Sequence, residues 1–352
     1  MDISNRKKLI LKAVVDDYVE KAGPVGSKVV SERLKLSPAT IRNEMSELER
    51  LGYLEQPHTS AGRIPSPNGY RLYVDELMRM SKLSLDEIAR IRNILSAQAH
   101  ELDKLMQAAG STIAELTHHT SLAVSPVSEQ VKLKRLNLMA IEGLSILIVL
   151  VAGDDNVKNK IYRSRRRLSD EELQSANMAL NRFFSGINID EITPSRIRAA
   201  EEQAGWQSGE IIAAVVMFIA EVSSELTKRN IYLGGASKIL DYPEYHDVGK
   251  AQKLLDLLYD PQKASRLLPM KPTAFRITIG PENSEESLYD ASMVLAPYST
   301  STNAIGLLGV IGPTRMDYSR ISAFLTCYAD LISQLLSGET LEINKKNNET
   351  EE

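Results

Sequence analysis

The first fifty residues carry apolar side chains at the spacing of short amphipathic helices. The pattern predicts one helix over Asn5–Ala22, which Gly23-Pro24 ends, and a second over Lys28–Leu34. A third helix begins at Pro38, behind Ser37 as its capping residue. Its apolar stripe consists of Ile41, Met45, Leu48 and Leu51. This order of helix, tight turn and helix is typical of a helix-turn-helix, whose third helix enters the major groove of DNA.

The outer face of the third helix suits contact with base edges. With Ile41 directed at the core, a step of about 100° per residue puts small and polar side chains on the opposite side. The predicted DNA-binding residues of this region are Lys28, Ser37, Ala39, Thr40, Arg42, Asn43, Ser46 and Arg50. The alternative is an ordinary exposed face in a small helical bundle.

A short ribbon follows and predicts a wing. Tyr53–Gln56 and Arg63-Ile64 read as two strands, and Pro57–Gly62 turns the chain between them. Wings contact the DNA backbone or the minor groove with small polar residues and cations. The predicted contacts here are His58, Thr59 and Arg63, with ordinary solvated loop residues as the alternative. A helix over Asn68–Lys82 would complete this domain.

The rest of the chain predicts a mixture of strands and helices. A long helical stretch over 86–119 is a candidate spacer. Strands are predicted early, at 131–141, 144–152 and 156–163, and late, at 274–279, 293–296 and 304–311, and a helix at 318–336 ends the ordered chain. Between the two groups of strands lies a helical block, 169–267. The fold class is therefore α+β multidomain, with one sheet domain interrupted by an insertion.

One helix of that block, Glu210–Lys228, is apolar around its whole circumference. We expect it to be buried on all sides, and a partner subunit could cover it. The predicted dimerisation residues are Val215, Val216, Phe218 and Ile219, and the alternative is a core within one domain. Dimerisation would let two heads read an inverted repeat.

Composition is that of an ordinary globular protein. The chain has 352 residues, 43% of them hydrophobic and 25% charged, and its single cysteine, Cys327, cannot form an intrachain disulfide. The net charge is −4, but residues 1–80 hold 13 Lys and Arg against 11 Asp and Glu, which is compatible with DNA binding there. The longest apolar runs are too short for a membrane span, so we expect a cytoplasmic protein without membrane contact.

Catalytic patterns are missing from the sequence. His118 and His119 are adjacent and so cannot share one metal in the usual i, i+4 way. The sequence contains no CxxC, HExxH, GxSxG or GxxxxGK[ST] motif. Cys327 lies on the apolar side of the last helix, which favours a place in the core. We therefore predict no enzyme activity, no metal and no cofactor, and assign no chemistry to the conspicuous segment Gly312–Tyr318.

Three long segments resemble one known family. "SPATIRNEMSELERLGYLEQPHTSAGRIPS" (37–66), "GYRLYVDEL" (69–77) and "AIGLLGVIGPTRMDYSRI" (304–321) are similar to the heat-inducible transcription repressors HrcA of bacteria. The resemblance implies a GAF-like sheet domain that carries an inserted dimerisation domain. It also implies a homodimer on an inverted-repeat operator of double-stranded DNA, upstream of chaperone operons of the chaperonin and DnaK type. A GroE-type chaperonin is the implied protein partner, on which repressor activity depends.

The expected domains follow from these features. They are a winged helix-turn-helix at 1–82, a helical linker at 83–125, a GAF-like domain at 126–168 plus 272–338, an inserted dimerisation domain at 169–271 and a disordered tail at 339–352. The alternative function is a transcription regulator that senses a small molecule in its GAF-like domain. DNA-binding assays without chaperonin, with and without cell metabolites, separate the two.

Overall fold

A computed structural model describes residues 3–58, 61–98, 101–127, 131–153, 156–269 and 274–339. The helices are α1 (Asn5–Lys21), α2 (Ser27–Leu34), α3 (Pro38–Arg50), α4 (Pro67–Leu72), α5 (Leu85–Ala97), α6 (Leu102–Thr117), α7 (Asp170–Phe184), α8 (Pro194–Ala204), α9 (Gly209–Leu226), α10 (Val248–Tyr259), α11 (Pro261–Arg266) and α12 (Tyr318–Leu336). The strands are β1 (Leu54–Glu55), β2 (Ile64–Pro65), β3 (Thr120–Val127), β4 (Leu133–Ala140), β5 (Ser145–Ala152), β6 (Asn156–Arg163), β7 (Ile231–Gly234), β8 (Arg276–Ile279), β9 (Ala291–Ser299) and β10 (Ile305–Pro313).

These elements form two compact units. Unit 1 comprises the chain up to Ser125, residues 230–301 and the chain from Ile305 onward, and unit 2 comprises residues 126–229 and 302–304. Within unit 1 we call residues 3–77 the head and the remainder the body.

The head is a winged helix-turn-helix, as predicted. Ser37 caps α3 by accepting a hydrogen bond from the Thr40 amide at 3.1 Å, and Pro38 occupies the first turn, where no amide donor is needed. The two wing strands pair antiparallel through Leu54 and Pro65. Gly69 of α4 lies so close to the Tyr53 carbonyl that any side chain there would collide with it. The fourth helix therefore seals the head against the base of the wing.

The body is built on a five-stranded sheet with the order β7-β3-β10-β9-β8. Helix α12 packs on β9 and β10, and α5 and α6 pack on α12. Neighbouring strands come from distant parts of the chain, because β3 pairs with β7 after more than a hundred intervening residues. At the end of that pairing the Ser125 amide donates to the Asn230 carbonyl at 2.9 Å, and the Asn230 amide donates to the Ser125 hydroxyl at 2.9 Å.

The adjacent histidines lie between α6 and β3, and they do not share an environment. His119 is buried, and its ring stacks on Tyr242 with 5.2 Å between the ring centroids. The Tyr242 hydroxyl lies 2.5 Å from Nδ1 of His119 and donates to the His118 carbonyl at 2.7 Å. Burial, with smaller contributions from His118 and nearby cations, lowers the pKa of His119 to about 4. His119 is therefore a neutral core residue at physiological pH.

Unit 2 contains a three-stranded antiparallel sheet, β4-β5-β6, with α7, α8 and α9 beside it. The side of the sheet that faces the helices is apolar and buried. It carries Leu136, Leu138, Ile146, Ile148 and Leu150, which belong to one core with Leu180 and Phe184 of α7 and Ile212 and Val215 of α9.

Several sequence predictions were wrong in how they grouped elements. The strands of residues 131–163 were expected in one sheet with the late strands, but in the described chain they pair only with each other. Strands β3 and β7 were not predicted, because short apolar runs do not distinguish a buried strand from a loop or helix segment. The compact unit accordingly spans 126–229, whereas the predicted insertion was 169–271.

Other predicted helices had wrong boundaries. The stretch over 86–119 is two helices, α5 and α6, and Ile91, Leu95 and Leu105 bury them in the body, so the stretch is no free spacer. The last part of the helical block predicted over 169–267 is divided at Asp260-Pro261, where proline begins α11. The predicted tail, 339–352, lies outside the described residues except for Glu339. None of the described helices combines the length and the apolar character that crossing a bilayer requires.

Candidate nucleic-acid interface

Helix α3 presents one polar face to solvent. Its inner side carries the buried residues Ile41, Met45 and Leu48, which pack on α1 and α2. The exposed side carries Ala39, Arg42, Asn43, Ser46 and Arg50, all at helical spacing. The structure thus brings together five of the predicted DNA-binding residues on one surface, which we call the reading face.

The hydroxyl of Ser37 caps the first turn of α3. Ser37 accepts from the Thr40 amide, and the two hydroxyls lie 2.8 Å apart. Ser37 is exposed and Thr40 is half-buried, so both stand at the edge of the reading face. The helix N-terminus carries a partial positive charge, which favours a phosphate beside it.

Each acidic residue of α3 has a cationic partner, and Glu44 and Glu49 have theirs outside the reading face. Lys7 of α1 contacts Glu44 at 3.3 Å and Glu47 at 3.0 Å, and the hydrogen bond to Glu47 raises the pKa of Lys7. Glu49 pairs with Arg63. Arg50 lies 3.7 Å from Glu47, yet 76% of its side chain stays exposed. Neutralised carboxylates and exposed cations favour an anionic partner at this helix.

The wing places its predicted contacts unequally. His58 is exposed at the tip, whereas Thr59 and its neighbour Ser60 lie outside the described residues. Arg63 is at the base of the wing and not at its tip, with only 17% of its side chain exposed. Its Nε and Nη2 lie 3.0 and 2.9 Å from one carboxylate oxygen of Glu49.

Arg63 therefore joins the wing to the helices of the head. Its backbone exchanges two hydrogen bonds of 2.9 Å with Val25, in the turn before α2. Because the pairing partners are far apart in sequence, no local pattern could have indicated this role.

Two further exposed lysines belong to the helix-turn-helix. Lys28 lies in the first turn of α2, as predicted, and Lys35 lies in the turn before α3, which sequence reasoning did not include. Lys35 has the left-handed backbone conformation, with φ of 55°, that ends α2 and allows the tight turn. Its position two residues before the cap of α3 is the sequence feature that could have indicated Lys35 as a DNA-contacting residue.

The predicted dimerisation residues lie in the core of unit 2. Val215, Phe218 and Ile219 are buried against the sheet, and Val216 is half-buried. The outer side of α9 is exposed, with Met217 at 67%, so the helix is not buried on all sides as predicted.

The apolar surface that unit 2 leaves uncovered is the other side of its sheet. There the residues alternate with the buried ones along each strand, and Ile161 and Val157 expose 63% and 60% of their area. Cross-strand rows join Met139, Leu147 and Ile161, then Asn137, Val149 and Asn159, and then Arg135, Val151 and Val157. We call these nine residues the open sheet face.

Family models match both parts of the chain. The model described as "Winged helix-turn-helix transcription repressor, HrcA DNA-binding" matches residues 2–75, and "HrcA protein C terminal domain" matches residues 103–321. Together they cover the head and most of the remaining chain.

Curated relatives match along nearly the whole chain. The chain is 37% identical to "Heat-inducible transcription repressor HrcA" of Ruminiclostridium cellulolyticum, over 95% of this chain and 97% of that protein. Proteins of the same name from Acetivibrio thermocellus and Clostridium tetani are 36% and 35% identical, covering 92% and 97% of this chain and 93% and 98% of their own. A crystal structure titled as a hypothetical protein has a similar fold, with a TM-score of 0.59 at 21% identity over 96% of this chain and all of that one.

Proposed function

The chain belongs to the HrcA family of heat-inducible transcription repressors, and we propose that it represses chaperone operons of the chaperonin and DnaK type. The reading face carries this proposal. Arg42 and Asn43 are exposed beside the small residues Ala39 and Ser46, so the helix can approach base edges closely. Asn can bind adenine and Arg guanine in two-point contacts. No catalytic role is proposed, and the protein acts in the cytoplasm, where the operons lie.

We further propose that the operator is an inverted repeat bound by a homodimer. One recognition helix reads few bases, and two related by a twofold axis read two half-sites. The open sheet face supports the dimer. Three strands of eight residues cover roughly 380 Å2 in projection, at a strand spacing of ~4.8 Å and a rise of ~3.3 Å. That is the size of the largest surface patch on a typical monomer, which is often functional.

Two copies of the open sheet face can pack against each other. The nine residues include no carboxylate, and their one charged member, Arg135, lies in an outer cross-strand row; Arg163 continues the same side of β6 beyond the opposite row. A twofold axis parallel or perpendicular to the strands would put Arg135 of one copy opposite Val157 or Met139 of the other. No like charges would then meet, and the apolar rows would be covered.

Dependence on a GroE-type chaperonin is the third part of the proposal. The body pairs β3 with β7 and β10 across more than a hundred residues of chain, so these contacts close late in folding. Until they form, apolar side chains that the body sheet buries, such as Leu122, Val124 and Leu307, are exposed, and exposed apolar surface is what a chaperonin binds. When other clients fill the chaperonin, active repressor falls and chaperone genes are expressed.

The decisive experiment is a footprint on the organism's own chaperone promoters. We expect the full chain to protect an inverted repeat, and uniform binding to all DNA would contradict the proposal. For the chaperonin, denatured repressor should recover operator binding poorly alone and better with chaperonin and ATP. An unfolded competitor protein should cancel that gain. Fast, complete recovery alone, with a metabolite that switches the native protein, would favour the small-molecule sensor instead.

A further inference from the structure

The head is fastened to the body by a two-point ion pair. Arg71 of α4 donates from Nε to one carboxylate oxygen of Glu282 at 2.8 Å and from Nη2 to the other. The same Nη2 donates to the Ile277 carbonyl of β8 at 2.7 Å. A planar guanidinium held at three acceptors on the body has one orientation, which a single point contact would not impose.

Neighbouring groups hold both side chains of this ion pair in position. Asp75, one turn along, accepts from Nη1 of Arg71 at 3.1 Å, and the Ile279 amide donates to Glu282 at 2.9 Å. Partial burial acts to raise the pKa of Glu282, but the Arg71 and Ile279 hydrogen bonds outweigh it and keep the pKa below its usual range. The carboxylate is thus charged at neutral pH, and the contact is formed without reorganisation of either side chain.

A second contact involves the segment Gly312–Tyr318, to which sequence analysis assigned no role. Tyr318 of the body meets Tyr70 of the head edge to face, with 5.9 Å between ring centroids, and both rings are buried. The Tyr318 hydroxyl donates to the Thr314 carbonyl at 2.5 Å and lies 2.7 Å from the Ser292 hydroxyl. The segment therefore folds around its own tyrosine and presents that ring to the head.

A third contact ties down the chain that leaves the head. Ser319, the second residue of α12, donates from its hydroxyl to the Arg79 carbonyl at 2.5 Å and lies 2.8 Å from the Ser81 hydroxyl. The Ser81 amide also donates to the Ser319 carbonyl at 3.4 Å. The connection after residue 77 is thus hydrogen-bonded to the body and is not a free linker.

The apolar core continues through these contacts. Buried residues of the head, such as Leu11 and Leu48, belong to the same contiguous core as Leu308 and Phe324 of the body. A head with its own separate core could pivot on a linker, whereas a shared core resists rotation.

From these contacts we propose that Arg71, Glu282, Tyr70 and Tyr318 are positioning residues that fix the orientation of α3 relative to the body, so that the repressor selects operators by the spacing of their half-sites. The proposal rests on the dimeric, operator-binding function proposed above. Where the two bodies of a dimer hold a fixed arrangement on DNA, rigid heads can reach two half-sites only at one separation. Heads that pivot would tolerate several, because binding at the second site survives only where geometry permits both contacts.

The test uses the full chain and duplexes selected by it from a randomised pool. From the selected inverted repeat we would make a series with the spacer lengthened one base pair at a time, and a duplex with a single half-site. For wild type, adding ~5 base pairs turns the second half-site to the opposite side of the duplex and should weaken binding at least ~100-fold. In Glu282→Gln and Arg71→Gln the same insertion should cost ~10-fold or less, with single half-site affinity unchanged.

A matched control is available on the body. Lys250 and Asp290 form an ion pair of 2.6 Å that does not involve the head, so Asp290→Asn should keep the wild-type spacing dependence. If Glu282→Gln fails to fold, Ser319→Ala removes only a hydroxyl and should relax the spacing dependence in the same direction. Wild-type spacing dependence in the folded variants would overturn the positioning role. Absence of any selected inverted repeat would instead overturn the proposed function on which it rests.

Discussion

Helices α3 and α9 were both singled out by their sequences, and the structure uses them in opposite ways. Helix α3 buries Ile41, Met45 and Leu48 and leaves a polar face to solvent. Helix α9 buries Val215 and Phe218 in its own unit and leaves Ala213, Met217 and Ala220 outside. An amphipathic pattern predicts which side of a helix faces the core. A helix that is apolar all round predicts burial but does not indicate which element covers it. Its partner turned out to be the sheet beside it.

The largest expected effect tests the buried side of α9. Phe218→Asp should lower the free energy of unfolding of unit 2 by about 4 kcal/mol or more, because it removes a buried ring and leaves an unpaired charge. The neighbouring change Met217→Asp, at a side chain that is 67% exposed, is the matched control. Denaturant unfolding followed by circular dichroism measures both. A Phe218→Asp protein as stable as Met217→Asp would place the ring on solvent.

A second effect concerns His119, a polar side chain that is buried, whereas the polar side chains of the reading face on α3 are exposed. With its pKa lowered to about 4, His119 is neutral when folded, but it binds a proton when unfolded below about pH 6.5. The contribution of neutral His119 to the free energy of unfolding is therefore present above pH 6.5. It is lost as the pH falls towards 4, by about 3 kcal/mol at most. His119→Gln should flatten this loss, and exposed His58→Gln should leave it unchanged. Unfolding measured across that pH range would contradict the assignment if all three proteins had the same slope.

A third prediction separates α9 from the open sheet face as the dimer surface. Ile161→Arg should weaken dimerisation at least ~30-fold without unfolding the chain, because it puts a charge into an apolar contact. Met178→Arg, on an exposed side chain of α7 in the same unit, should leave the dimer intact. Sedimentation at several protein concentrations is the measurement. A wild-type dimer that persists in Ile161→Arg would exclude this face, and a monomeric wild type would exclude the dimer.

A fourth prediction addresses the exposed face of α3. Asn43→Ala and Arg42→Ala should each cost ~1–3 kcal/mol in specific binding and relax the preference at particular base pairs. Neither should affect stability by more than ~0.5 kcal/mol, because both side chains are exposed. Mobility shifts with matched and substituted duplexes decide this. Wild-type affinity and specificity in both variants would remove α3 from the interface.

The smallest effect distinguishes a positioning cation from a DNA contact. Because Arg63 is engaged with Glu49, Arg63→Ala should cost ~0.5–1 kcal/mol of stability and leave the salt dependence of DNA binding unchanged. Lys28→Ala should instead lower the slope of that dependence by ~1, as loss of one phosphate contact does. Titrations at several salt concentrations separate them. A reduced slope in Arg63→Ala would show that the ion pair opens on DNA.

The sequence predicted best what is decided locally. The cap at Ser37 and the apolar residues Ile41, Met45 and Leu48 of α3 depend on neighbours within one or two turns, and the structure contains them. Pairing of strands depends on distant segments, so the sheet of β4, β5 and β6 was assigned to the wrong partners. The pairing of Arg63 with Glu49 joins two elements, and no periodicity reports such a contact. For the same reason the exposed side of α3 was predicted from the sequence, and the pairing of Arg71 with Glu282 was not.

The hydrogen bonds between Ser125 and Asn230 have a consequence for the ancestry and engineering of the chain. Its path leaves the larger sheet and returns to it at one pair of facing residues, so everything between them is a detachable cassette. A tight turn could close β3 directly onto β7 as a hairpin. Recombination could thus add, exchange or delete this cassette without redrawing the fold that receives it, and the two parts of the gene are free to evolve at different rates.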